Sequence, residues 1–128
     1  MNDRAKEILD FWFDDMVFEK RFKRDDNFDQ LIKDKFKDDH KKATLNEYDD
    51  WQDEPLSTLA LVILLDQFSR NLYRDNKKAF EFDHKARLIA NDAVYNGYLD
   101  QMDEYQRFFM LLPYIHSCLL YTSDAADE

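Results

Sequence analysis

The sequence predicts an all-α protein, a single domain whose helices pack as antiparallel neighbours. One glycine and two prolines among 128 residues leave little material for the turns of a β-protein. Apolar residues recur at the spacing of amphipathic helices, and hydrophobic residues make up 45% of the chain, enough to form a buried core. The connections between the predicted helices are short, which favours antiparallel packing.

Two helices are predicted in the first third of the chain, from Arg4 to Phe13 and from Asn27 to Lys42. In the second helix, an apolar set recurs at i, i+3, i+4 and i+8, and these residues share one helix face: Phe28, Leu31, Ile32 and Phe36. The surrounding sequence is densely charged, and we interpret these charges as the solvated face of the same helix. The pattern therefore predicts a helix that buries its aromatic side.

The third predicted helix, from Pro55 to Arg74, carries the most informative pattern. Pro55 stands at the first helical position, which tolerates proline. Its first half includes the continuous apolar run LALVILL, which is expected to be buried. The second half places five polar residues on one face, within an arc of about 140°: Asp66, Gln67, Arg70, Asn71 and Arg74.

The fourth predicted helix runs from Lys77 to Tyr95. Asn76 is the expected N-cap, because its short polar side chain can accept a hydrogen bond from the first turn. Gly97 follows the helix, as glycine commonly does where a helix ends in a left-handed residue. The pattern thus defines both ends of this helix.

The fifth predicted helix runs from Met102 to Leu112. Asp100 is the expected N-cap. Pro113 comes directly after the last predicted residue, and an interior proline kinks or ends a helix. We therefore expect the helix to end or bend at this point.

The two arginines of the polar face require anionic partners, and two interpretations stay open. In one, Asp66, Asp83 and a carbonyl or helix end satisfy the arginines within a buried polar network, since buried charges are usually paired. In the other, Arg70 and Arg74 form a fork for a carboxylate or phosphate, which Gln67 and Asn71 orient. Both interpretations depend on the planar guanidinium group.

Three segments carry a resemblance to a known family. In order, ILDFWF (8–13), LALVILLDQFSRNLYR (59–74) and RFFMLLPYIHS (107–117) resemble the landmark segments of a bacterial family catalogued as domain of unknown function 924. The resemblance implies a fold similar to tetratricopeptide-type helical arrays. It also places a family histidine at His116, which becomes a candidate general base. Arg21 stands where family members often carry tryptophan, which leaves the local packing open.

The last eleven residues, 118–128, do not resemble the family. The string CLLYTSDAADE resembles a translated sequencing adapter, and such segments are excluded from fold reasoning. We therefore expect residues 1–117 to form a single helical domain that is truncated at its C-terminus, followed by a non-native tail. Without the tail, 18 basic and 25 acidic residues give the chain a net charge of −7.

Composition disfavours several classes of function. The acidic balance and the absence of long basic runs disfavour nucleic-acid binding. No apolar stretch approaches the length of a membrane span, and the charged N-terminus does not resemble a signal peptide, so we expect a cytoplasmic protein. The histidines lack metal-ligand spacing, and the single cysteine lies in the tail. No metal or cofactor is indicated.

Three functions are compatible with the sequence. The first is a module that binds a peptide or a small anionic ligand in a groove beside helix 55–74. The second is a small-molecule enzyme that uses Arg70, Arg74, Asp83 and His116 in one pocket. The third is a structural fragment without independent activity. A closed pocket with His116 near the arginines would favour the enzyme, and an open concave surface would favour the binding module.

Overall fold

The structure is a computed structural model that describes the backbone of residues 1–127 and the side chains of residues 1–116. Within this part of the chain it is all-helical, with no β-strand. Six α-helices follow one another: α1 (Asp3–Trp12), α2 (Asp26–Thr44), α3 (Pro55–Val62), α4 (Ser69–Leu72), α5 (Asp83–Tyr95) and α6 (Glu104–Asp127).

Shorter helical segments fill most of the connections. A π-helical segment, Ile63–Phe68, joins α3 to α4 without a break. Four connections form 3₁₀ turns, at Asp15–Phe22, Asp49–Asp53, Lys77–Phe80 and Tyr98–Gln101.

The predicted all-α class is confirmed, and α1 and α2 begin and end within two residues of the predicted bounds. The helix predicted for 55–74 is continuous but not uniformly α-helical, because the π segment interrupts it, and it ends at Leu72. The helix predicted for 77–95 divides into a 3₁₀ turn and α5. Asn76 does cap that turn by accepting a hydrogen bond from Lys78 N, and Gly97 adopts φ +77° beyond α5.

The last helix does not end at Pro113, and its N-cap is not Asp100; whether it bends at Pro113 stays a prediction. Helix α6 continues through Pro113, since proline removes one backbone hydrogen bond while Phe109, Met110 and Leu112 hold this part of the helix in the core. The cap is Asp103 rather than Asp100.

Asp103 and Gln106 form a reciprocal cap at the start of α6. The Asp103 carboxylate accepts a hydrogen bond from Gln106 N at 2.8 Å, and the Gln106 side chain accepts one from Asp103 N at 3.0 Å. This arrangement satisfies two backbone donors at once, as in a capping box.

Helix α3 is the centre of the core. It packs against α1, α5, α6 and the 3₁₀ turn at 49–53, while α2 covers the π segment and α4. Every residue from Ser57 to Ser69 is buried, as the apolar first half of the predicted helix indicated. We call the segment 55–74 the motif helix, and its polar second half begins inside the protein, where its side chains need partners.

The tetratricopeptide-like architecture and the division at residue 117 stay predictions. The backbone of α6 runs to Asp127, whereas the side chains of the predicted tail lie outside the described residues.

Candidate functional site

Asp66 is the centre of a polar cluster, and the π-helical segment carries it into the core. A π-helical segment changes the register of a helix and often marks a functional position. Asp66 is 0% exposed. Its carboxylate contacts His116 Nδ1 at 3.0 Å, Arg70 Nη1 at 3.3 Å and Gln67 Nε2 at 2.8 Å. These three contacts satisfy the requirement that a buried carboxylate be paired and hydrogen-bonded.

Arg70 connects Asp66 to Asp83 in the first turn of α5. Its Nη1 and Nη2 donate to the two carboxylate oxygens of Asp83 at 2.9 and 3.0 Å. Nη1 also donates to the backbone oxygen of Asp66 at 2.6 Å. The guanidinium carbon lies 5.2 Å from the centre of the Phe80 ring, within range of a cation–π contact. Arg70 thus fixes the end of the motif helix to α5.

Arg74 and Asn71 converge on Asp29 of α2. Arg74 donates from Nε and Nη2 to the two Asp29 oxygens at 2.5 and 3.0 Å, and Asn71 Nδ2 donates to one of them at 2.9 Å. Burial raises the pKa of Asp29, but the hydrogen bonds from Arg74 and Asn71 outweigh burial, and the pKa lies below its ordinary value. Asp29 is therefore held as a carboxylate by the motif helix.

The residues predicted for the site divide between two clusters. One is centred on Asp66, and the other on Asp29, which the sequence analysis did not single out. The sequence analysis expects Asp66 and Asp83 to pair with the two arginines. In the structure both carboxylates pair with Arg70, and Arg74 pairs with Asp29 instead. Within the described residues, the first cluster joins Asp66, Gln67, Arg70, Asp83 and His116, and the second joins Asp29, Asn71 and Arg74.

An open cavity of about 460 Å³ lies beside the two arginines. We call it the arginine pocket. Its walls come from the end of the motif helix and from the loop and 3₁₀ turn that follow. They are Arg70, Arg74, Asp75, Asn76, Lys77, Ala79 and Phe80.

Sequence and fold place the chain in a family. Residues 8–127 match the family described as "Bacterial protein of unknown function (DUF924)". The chain belongs to this family. The match extends over nearly all of the chain and includes residues 118–127, which the sequence analysis describes as unlike the family.

A solved structure shows the same fold as this DUF924 member. It is the structure of ATU0120, a protein of unknown function from Agrobacterium tumefaciens, which superposes with a TM-score of 0.83 at 37% sequence identity. The similarity covers 88% of this chain and 64% of that chain, so this chain spans less than two thirds of the length of its structural relative. No curated protein matches the chain significantly.

His40 is a buried histidine of this DUF924 member, and no sequence pattern pointed to a function for it. It is 3% exposed, and its Nε2 lies 2.7 Å from Ser69 Oγ in α4. Ser69 Oγ donates to the backbone oxygen of Leu65 at 2.6 Å, so His40 donates from Nε2. Burial lowers the pKa of His40 to about 4. His40 is therefore a neutral structural histidine near neutral pH.

Two further features are absent from the described residues. No three His, Cys, Asp or Glu side chains within that part of the chain are grouped as a metal ion requires. None of the described helices combines the length and the apolar character of a membrane span. The predicted cytoplasmic location stays a prediction.

Proposed function

We propose that this DUF924 protein binds a small anionic ligand in the arginine pocket. The observation that carries the proposal is the convergence of three cationic side chains, those of Arg70, Arg74 and Lys77, on one open cavity of about 460 Å³. The one acidic residue in the cavity wall is Asp75, and its carboxylate is paired with Arg24 at 2.6 Å. Arg70 and Arg74 are also paired with Asp83 and Asp29 behind the wall, so Lys77 is the wall cation whose charge has no carboxylate partner among the described residues, and this charge favours an anion.

Hydrogen-bond donors remain available for that anion. Arg74 binds Asp29 through Nε and Nη2, which leaves Nη1 without a protein partner among the described side chains. Lys77 also has no ion-pair or hydrogen-bond partner for its ammonium group in that part of the protein. A carboxylate or phosphate that contacts both groups gains charge-assisted hydrogen bonds.

The pocket also offers an apolar surface. The side chain of Phe80 is 59% exposed, and its ring packs against Arg70 at the pocket wall. This combination favours an organic anion with an apolar part, because the ring would be covered while the cations bind the charge. A peptide would meet the same cations with a terminal or side-chain carboxylate.

Calorimetric titration with inorganic phosphate and with succinate tests the proposal. We expect saturable binding that Arg74→Gln and Lys77→Gln each weaken by about tenfold, the size expected for a lost hydrogen bond to a charged group. Lys33→Gln is the matched control, since it removes the same charge from an exposed position on α2. Equal affinity for all four proteins, or no saturable binding, would contradict the proposal.

The contact between Asp66 and His116 supports a second candidate, an enzyme in which His116 acts as a general base. A carboxylate accepts hydrogen bonds, so His116 donates from Nδ1 and Nε2 is left as the basic nitrogen. The His116 side chain is 22% exposed, and Nε2 has no partner among the described residues. A buried carboxylate that orients a histidine in this way is a recurring device of general-base catalysis.

Nitrogen-15 NMR of His116 tests the basis of this second candidate. In the neutral ring, Nδ1 should carry the proton, and Asp66→Asn should remove that preference. A neutral ring protonated on Nε2 in the wild-type protein would rule the candidate out.

A further inference from the structure

A second cavity, of about 350 Å³, lies between the 3₁₀ turn at 15–22 and α6. We call it the aromatic groove. Two ring pairs cross from one segment to the other, both near edge to face. Phe18 packs against Tyr105 with ring centres 5.9 Å apart, and Phe22 packs against Phe108 at 6.1 Å.

The rings of the aromatic groove are unusually exposed. The exposed fractions are 43% for Phe18, 62% for Phe22, 58% for Tyr105 and 40% for Phe108. Phe109 lies beneath them and is 1% exposed, so it connects the groove to the core. Clusters of exposed apolar side chains beside a cavity are typical of binding surfaces.

Arg21 introduces a positive charge into this apolar setting. Its guanidinium carbon lies between 5.3 and 5.9 Å from the ring centres of four aromatic residues: Trp12, Phe13, Phe18 and Phe109. Nε donates to the backbone oxygen of Trp12 at 2.6 Å, and Nη2 lies 3.5 Å from the backbone oxygen of Asp14.

No carboxylate of the described residues forms an ion pair with Arg21, although Glu104 also lines the groove. Arg21 Nη1 has no hydrogen-bond partner among the described residues. Arg21 is half-buried, and burial lowers the pKa of its guanidinium group although Asp14 and Asp15 act in the opposite direction. Burying a charge without a counter-ion is costly.

We propose that the aromatic groove binds a small organic acid, with its carboxylate on Arg21 and its ring or short acyl chain between the two ring pairs. The acid compensates the desolvated cation, and its apolar part covers the exposed rings. This site is separate from the arginine pocket and does not depend on the function proposed there. The groove combines one cation with several rings, so a matching ligand carries both a carboxylate and an apolar part.

The test compares two probes that differ only in charge, 3-phenylpropionate and 3-phenylpropionamide. Binding is followed by NMR on the full chain through the ring resonances of Phe18, Phe22 and Phe108. We expect the acid to bind about tenfold more tightly than the amide, in line with a charge-assisted hydrogen bond. Amide binding as tight as acid binding would overturn the proposal without any variant being needed.

Two variants assign the charge dependence to Arg21. Arg21→Gln should abolish the difference between acid and amide, and Arg21→Lys should retain part of it. Arg24→Gln is the matched control, since Arg24 lies outside the groove and pairs with Asp75, and it should leave both affinities unchanged. An unchanged acid preference in Arg21→Gln, or shifts at Phe80 instead of the groove rings, would overturn the proposal.

Discussion

Asp29 and Arg74 are 45 positions apart in the sequence, yet Arg74 donates two hydrogen bonds to the Asp29 carboxylate, at 2.5 and 3.0 Å. This contact pairs the second arginine of the motif helix with α2. Arg70 is paired separately, with Asp66 and Asp83. The two arginines therefore serve different clusters, although both reach the same pocket.

The two arginines should contribute differently to stability. Arg70→Ala leaves Asp66, which is fully buried, without its cation, and should lower the free energy of unfolding by about 3 kcal/mol or more. Arg74→Ala leaves Asp29, whose side chain is 13% exposed, and should cost about 1–2 kcal/mol. Urea denaturation measures both, with Lys33→Ala as an exposed control. A larger loss for Arg74→Ala would contradict the assignment of Asp66 as the buried centre.

The pairing of Asp29 should make stability depend on acid pH. The pKa of Asp29 in the folded protein lies below its ordinary value of 3.8. Its contribution is therefore complete above the ordinary pKa and is lost as the pH falls toward the folded pKa. The stability difference between wild type and Asp29→Asn should be constant near neutral pH and shrink below about pH 4.

Denaturation at a series of pH values measures this difference, with Asp38→Asn on the exposed side of α2 as the control. A difference that grows as the pH falls would be incompatible with the observed contacts.

Burial of His40 should make the stability of the fold depend on pH above the range in which Asp29 titrates. Burial lowers its pKa from 6.5 to about 4, so the unfolded chain takes up a proton before the folded protein does. Stability should therefore fall as the pH drops from about 6.5 to about 4, by about 2–3 kcal/mol in total. His40→Gln should remove this slope from thermal melts. His84→Gln, at an exposed histidine, should retain it, and a retained slope in His40→Gln would refute the explanation.

The start of α6 offers a matched pair of aspartates. Asp103→Ala removes the side chain that accepts from Gln106 N and should cost about 1 kcal/mol, the usual effect of losing an N-cap. Asp100→Ala, three residues earlier, should change the free energy of unfolding by less than about 0.5 kcal/mol. Thermal melts compare the two variants, and a larger cost at Asp100 would reverse the assignment of the cap.

The sequence predicted the helices and most of the core because local spacing determines both. Phe28, Ile32 and Phe36 are buried on one side of α2, as their spacing indicated. Leu31, which was expected on the same face, is 40% exposed. The apolar run before Asp66 is buried as well. These features depend on periodicity within one helix, which a single sequence displays directly.

The partners of the polar face were harder to predict because they come from other helices. Asp29 is one of many acidic residues in α2, and its spacing does not distinguish it from Asp34 or Asp38. The π-helical segment also leaves no recognisable mark in an apolar run, although it determines where Asp66 points. The burial of His40 depends on the contact between α2 and α4. Such features follow from packing between helices.

The packing around Arg21 is another feature that local spacing in the sequence does not predict. Its position raised a question about local structure because the resemblance favours tryptophan there. The structure shows that the guanidinium group itself packs over the rings, so the arginine takes part in the aromatic cluster while it retains its charge.

NMR with selective labels at Arg74 and Phe80 shows directly whether the arginine pocket binds an anion. On titration of the full chain with inorganic phosphate, the Arg74 side-chain resonances should move and saturate, and the Phe80 ring should follow with the same midpoint. Arg4, which is paired with Asp39 and Glu7 outside the pocket, should not respond. Unmoved Arg74 resonances, or equal unsaturated shifts at Arg4 and Arg74, would contradict the claim.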